Sequence, residues 1–205
     1  MIKVVLFDFG GVLSKTGKKG FIQEKIAELY GLNPKDVDIT DLHMDLRRGV
    51  STDEQFFAML NKRFNGNVSK EMFLDAVNGA VDVSSEVYDL AARLRKHGIA
   101  TGIFSNVFAM NAAAIRKQGL YDGFEPVLLS CDEGCAKPDE EFYKKAIERT
   151  SVQASEILLI DDQEKCLPPA EKLGMHVILA TSPQQIVVDT EALITAENGI
   201  NLGGQ

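Results

Sequence analysis

The chain has 205 residues, 45% of them hydrophobic and 25% charged, which suits one sizeable globular domain with an insertion. A net charge of -8 and a pI near 5.0 set its overall field against nucleic acid and anionic membranes, so a phosphate-bearing partner has to be held by local charge. No stretch approaches the roughly 20 apolar residues of a membrane span, and the first 13 residues read as strand and turn rather than a signal peptide, so a cytoplasmic protein is expected.

The first apolar run, Val4-Val5-Leu6-Phe7, lacks the alternation of a half-exposed strand and predicts a strand covered on both faces in a parallel sheet. It closes on Asp8 and the glycine turn Phe9-Gly10-Gly11-Val12-Leu13, placing a carboxylate at the carboxyl end of a buried strand, where ligands bind in such sheets. From Ser14 to Val83 there is no convincing strand. Ser51-Thr52-Asp53-Glu54 reads as a capping box opening the amphipathic run Phe56, Phe57, Leu60, and Ser69 before Lys70-Glu71-Met72-Phe73 marks another helix start. Residues 14–83 are therefore expected to form a helical cap over the sheet edge, inserted into a core of residues 1–13 and 84–205.

Beyond the cap the β-rich runs are 99–104, 126–129, 157–160 and 176–179. Ser84-Ser85 caps a helix running to His97, residues 106–118 form a helix stopped at Gly119, and Pro138 opens a helix to Arg149. Gln163 to Leu173 is a further helix, and Ser182-Pro183 starts a last one before a glycine-bearing tail expected to fray. Strands alternating with helices predict a doubly wound, mostly parallel five-stranded Rossmann-like α/β sheet. Cys131, Cys135 and Cys166 lack the paired spacing of a zinc site and read as reduced thiols.

Four polar segments each follow a strand: Asp8-Phe9-Gly10-Gly11-Val12, Ser105-Asn106, Lys137-Pro138 and Asp161-Asp162. Asp8 can attack phosphorus, splitting one hard displacement into two. Asp161 and Asp162, with Asp8 and the Gly10 carbonyl, offer the hard oxygen ligands that Mg2+ prefers. Lys137 supplies positive charge, and Ser105, the Asn106 backbone amide and the Gly11 turn suit phosphate oxygens. Arg47, Arg48, Lys15, Lys18 and Lys19 lie in or beside the cap and could hold a substrate's phosphate or leaving group, although solvated helix charge is the better account of most of them. His43, His97 and His176 belong to no motif.

In order and spacing the four segments resemble the motifs of the haloacid dehalogenase (HAD) superfamily of hydrolases, together with the context Ser130-Cys131-Asp132-Glu133-Gly134 before Ala136-Lys137-Pro138 and with Gly174-Met175. The resemblance implies a Mg2+-dependent phosphatase with Asp8 and Lys137 as catalytic residues, Ser105, Asn106, Lys137 and Gly11 binding substrate, and Asp8, Gly10, Asp161 and Asp162 around the metal. The substrate it implies is a small phosphorylated metabolite such as a sugar phosphate. The usual first motif carries a second aspartate where Gly10 stands, a general acid-base group whose loss costs on the order of 100- to 10,000-fold in rate. Cys166 stands where Asn or Asp often supports the metal. These departures keep a second reading open, a phospholigand- or protein-binding module with little turnover. Dehalogenation at carbon is a third, disfavoured because that chemistry does not need the retained Asp161-Asp162 pair.

Overall fold

A computed structural model describes residues 1–17, 20–79 and 81–203. Five parallel strands, β1 (Val4–Phe7), β2 (Ala100–Ser105), β3 (Val127–Leu129), β4 (Ile157–Asp161) and β5 (His176–Leu179), form one sheet in the order β3-β2-β1-β4-β5. In register, Phe7 lies between Ile103 and Ile160, so the residues after β1, β2 and β4 emerge side by side at the carboxyl edge.

The uninterrupted apolar runs have their predicted cause, because both faces of the sheet are covered. Val5, Phe7, Ile103, Leu158 and Ile160 pack with the helices α5 (Ser85–Lys96), α6 (Ala109–Lys117) and α10 (Pro183–Asn198). Val4, Leu6, Phe104, Leu128, Ile157 and Leu159 pack instead with α8 (Glu140–Thr150) and α9 (Leu167–Lys172), through Phe142, Tyr143, Ala146 and Ala170. Fully burying a Leu, Ile or Phe side chain is worth about 1.5–3 kcal/mol, so these two layers supply most of the drive to fold.

Between β1 and α5 the described residues form the α-helices α1 (Phe21–Tyr30), α2 (Thr40–Arg47), α3 (Asp53–Phe64) and α4 (Lys70–Asn78). Within 14–83 the only strand-like pairings among the described residues are isolated bridges from Ser14 to Gly10 and to Val83. Phe56, Phe57, Leu60, Phe73 and Val77 form a separate apolar cluster, and Phe108 and Met110 at the start of α6 join it. That shared cluster fixes the helical segment to the sheet domain. A second tie is the bidentate ion pair from Arg48 to Asp139, 2.9 Å at its shortest.

Several boundaries differ from expectation for identifiable reasons. The capping box is shifted by one residue: Thr52 accepts from Gln55 N–H, and the Gln55 side chain accepts from Thr52 N–H. Ser84 stands at the head of α5 but makes no side-chain cap, and its buried hydroxyl has no partner among the described residues. Residues 106–108 stay extended because they deliver Asn106 and Phe108 to other contacts, so α6 begins at Ala109. Pro138 precedes its helix instead of opening it, with Asp139 as N-cap, and Ser130–Glu133 forms an extra short helix, α7. Residues 164–166 form a tight turn before Pro168 and Pro169 occupy the first turn of α9. The tail is anchored as far as Gly203: Leu202 is buried in the core and its carbonyl accepts from Arg93 at 3.0 Å. No helix of the described residues is long and apolar enough to cross a membrane.

Candidate functional site

Asp8 and Ser105, at the ends of adjacent strands, are in direct contact, with Ser105 Oγ donating to Asp8 Oδ1 at 2.6 Å. Phe9 N–H donates to the same oxygen at 2.7 Å, and Lys137 Nζ lies 3.2 Å from it. Asp8 is thereby oriented through one oxygen, leaving Oδ2 as the atom free to react.

Lys137 makes two hydrogen bonds and one further ion-pair contact. Its ammonium donates to the Phe104 carbonyl at 2.8 Å and to Asp161 Oδ2 at 2.5 Å, besides its approach to Asp8. Burial alone would push this lysine down, but Asp161 and Asp8 hold it above its ordinary value, so it is a permanent cation. Asn106 locks the backbone of Lys137 in place: its Nδ2 donates to the Lys137 carbonyl and its Oδ1 accepts from Lys137 N–H, both at 2.8 Å. The hydroxyl of Ser105 and the side chain of Asn106 thus serve Asp8 and Lys137.

Asp8, Asp161 and Asp162 each turn a carboxylate oxygen into one space, the three atoms lying within 4.8 Å of one another. Burial raises Asp8, against the pull of Lys137 and with a push from Asp161. Burial and the negative charge of Asp8 and Asp161 push Asp162 up to about 7. Asp161 is committed already, with Lys137 on Oδ2 and Gln163 N–H on Oδ1 at 2.8 Å. Asp162 Oδ1 is buried with no partner among the described residues. Excess negative charge and an orphaned hard oxygen fit a divalent cation. Cys166 is fully buried behind the cluster, with its thiol pushed up to about 12 by burial, and it offers no ligand to this space.

Two glycines are dictated by close approach. Gly11 has φ +79, and a Cβ there would fall 2.5 Å from Asp162 Cγ, so the turn admits no side chain without displacing that carboxylate. At Gly10 a Cβ would meet the Gly17 carbonyl oxygen at 2.8 Å. The segment after Ser14 folds back over this position, with Gly11 N–H donating to the Ser14 carbonyl at 2.7 Å. A carboxylate at position 10 is therefore excluded sterically.

A cavity of about 590 Å³, counting its open mouth, adjoins Gly10, Ser105 and Asn106. Its walls are largely apolar, from Phe9, Phe21, Ile22, Val77, Val107 and Phe108, and Arg47 is its one charged lining residue among those described. The neighbouring Arg48 is spent on Asp139, and Lys15 lies 3.8 Å from Asp82 at the surface. Lys18 and Lys19 lie outside the described residues. His43 and Lys165, which no motif marks, line a second cavity together with Arg47. The spacing of His43 and Arg47, one helical turn apart, was the available signal. Cys131, Cys135 and Cys166 are free thiols.

Comparison with known proteins gives this arrangement a context. Acyl-CoA dehydrogenase family member 10 of Mus musculus is 32% identical over 108 residues, which are 50% of this chain and 10% of that protein. Sesquiterpene phosphatase astK of Aspergillus oryzae is 26% identical over 98 residues, 47% of this chain and 50% of that protein. The chain thus matches between a tenth and a half of the length of these relatives. The crystal structure of a HAD family enzyme from Bacteroides thetaiotaomicron, in complex with magnesium and inorganic phosphate, shares the fold with a TM-score of 0.75 and 22% identity, over 89% of this chain and 96% of that one. The profile of the haloacid dehalogenase-like hydrolases matches residues 2–174, and this chain belongs to that family.

Proposed function

We propose that the protein is a Mg2+-dependent phosphatase acting on a small phosphorylated metabolite, with Asp8 as nucleophile. One observation carries this reading: three carboxylates from the ends of two neighbouring strands meet within 4.8 Å beside a buried lysine. The phosphatase among the relatives and the magnesium and phosphate in the Bacteroides thetaiotaomicron enzyme point the same way.

Asp8 Oδ2 attacks phosphorus as the bond to the leaving oxygen breaks, giving an acyl phosphate on Asp8; water then attacks that phosphorus, releasing phosphate and the free carboxylate. Ser105 and Phe9 N–H hold Oδ1 so that Oδ2 faces the electrophile. Lys137 offsets negative charge on Asp8 and the incoming phosphate. Asp8, Asp162 and the Gly10 carbonyl would hold Mg2+, which when bound screens the repulsion between these carboxylates and an anionic substrate. Asp161 holds Lys137 in place and adds its charge to the same cluster. With position 10 closed by Gly17, the leaving oxygen takes its proton from solvent, which favours substrates with good leaving groups, such as anomeric or acyl phosphates.

The same closure at Gly10 favours a second reading, binding of a phosphorylated ligand without turnover. Phosphate release from p-nitrophenyl phosphate and a sugar phosphate panel, with Mg2+ or EDTA, separates the two. The expected result is Mg2+-dependent release, with Asp8→Asn losing at least about 1,000-fold. Equal turnover by Asp8→Asn refutes the mechanism, and saturable binding with no release by the unaltered protein supports the second reading.

A further inference from the structure

Helix α2 carries two buried nitrogen atoms without partners beside a cavity that the same two residues line. His43 Nε2 and Arg47 Nε are both buried without a hydrogen-bond partner. Four residues apart, they share one face of the helix, and both line the cavity bounded by α2, the turn at 34–36 and the loop after β4. Phe108 steadies them: its ring meets His43 edge-on at 5.0 Å and carries the Arg47 guanidinium at 6.0 Å. Leaving such an atom buried and unpaired is costly, and α2 bears that cost twice. Buried polar atoms in native chains are normally satisfied, so these two call for a partner that the described residues do not supply.

Charge specifies the acceptor. Lys35, Arg47 and Lys165 line this cavity against one carboxylate, Asp38; none of the three is in an ion pair among the described residues, and Arg47 is attracted at longer range by Asp8, Asp161 and Asp162. Asp38 itself accepts from Thr40 N–H at 3.0 Å at the head of α2. In a chain of net charge -8, a concentration of unpaired cations marks a binding surface for an anion. Burial together with Arg47 and Lys165 holds His43 down to about 3, so its ring is neutral and can donate without adding charge. Arg47 lines this cavity and also the one that reaches Gly10 and Ser105, and Gln163 connects it to Asp161.

We infer that the leaving group of the substrate carries a second anionic group, a carboxylate or a phosphate, and that His43, Arg47 and Lys165 hold it in this cavity. The inference rests on the phosphatase reading of Asp8.

The test compares kcat/KM for matched phosphate esters: phosphoglycolate against ethyl phosphate, p-carboxyphenyl against p-carbamoylphenyl phosphate, and ethanediol bisphosphate as the phosphate-bearing counterpart. The anionic member of each pair is expected to be favoured by about tenfold or more, with phosphoglycolate and the bisphosphate showing which anion the site takes. Arg47→Gln and His43→Phe should bring that ratio close to one, and Lys165→Gln, an exposed change that the fold tolerates, should lower it severalfold. A wild-type ratio at or below one, or a ratio untouched by Lys165→Gln and by either α2 variant, overturns the inference. Should wild type release no phosphate from p-nitrophenyl phosphate with Mg2+, the phosphatase reading fails separately. Thermal protection by phosphonoacetate against ethylphosphonate then decides the cavity: preferential protection by phosphonoacetate that Lys165→Gln weakens upholds it, and equal protection refutes it.

Discussion

Replacing Lys137 by Met keeps the length and apolar stem of the side chain while deleting the charge that two buried carboxylates share. The lysine side chain is 1% exposed, and those of Asp161 and Asp8 are 0% and 6% exposed, so water cannot take its place. Breaking a buried pair by removing one partner costs about 3–5 kcal/mol, out of a total stability on the order of 5–15 kcal/mol. At about 2–4 °C per kcal/mol for a chain of this size, the melting temperature should fall by roughly 6–20 °C. The loss should also depend on pH. Lys137 has a raised value, so its contribution is fully present below the unfolded lysine range and constant from about pH 5 to 8. Without it, Asp8, which burial already raises, loses the charge that pulls it down, and the folded state then binds an extra proton. Stability is retained at low pH and lost as pH rises through that raised value, so the deficit against wild type should be smaller near pH 5 than near pH 8. Urea unfolding in EDTA at both values measures it. A deficit below about 1 kcal/mol, or one that is the same at both pH values, refutes the assignment of Lys137 as the cation that keeps these carboxylates ionised.

Three further outcomes are expected. Asp162 sits at about 7 because of burial, Asp8 and Asp161, so Mg2+ must displace a proton from it below that value; calorimetric affinity should tighten between about pH 6 and 8, and Asp162→Asn should remove the thermal shift produced by Mg2+. Gly11→Ala places a methyl carbon 2.5 Å from Asp162 Cγ at φ +79, so stability should drop by about 1–3 kcal/mol and Mg2+ affinity at least about tenfold, and unchanged affinity would remove Gly11 from the site. Phe73→Ala empties the centre of the helical cluster, where Phe73 meets Phe56 and Phe57 edge-on, and should cost about 3–5 kcal/mol in urea unfolding.

All five strands were legible from the sequence to within a residue, because strands of a covered sheet write themselves as apolar runs, unbroken in β1 and β4, which are buried on both faces, and still apolar in the partly exposed edge strand β5. Asp8, Ser105, Lys137, Asp161 and Asp162 were legible for the same reason, each standing at or just beyond the end of such a run or of the short helix that follows it. What escaped were features that depend on partners distant in sequence. That Asp161 is spent on Lys137 while Asp162 keeps a free oxygen follows from side-chain directions after β4, and two adjacent aspartates look alike in a sequence. Arg47 and Arg48 are likewise adjacent, yet one turns into the cavities and the other outward to Asp139. Leu202 escaped because the tail shows only two apolar residues, Ile200 and Leu202, among glycines and polar ones, and only the core they enter gives them significance.

The fold-back of the chain over Gly10 also constrains how this site can change. A carboxylate at residue 10 would collide with main chain at Gly17, so Gly10→Asp alone is accommodated only if that main chain shifts. The loop 14–17 would have to be rebuilt first, and that loop is pinned through Ser14 to both Gly11 and Val83. Acquiring an acid at this position is therefore an ordered, multistep mutational route, in which the first steps loosen a turn and bring no catalytic gain of their own.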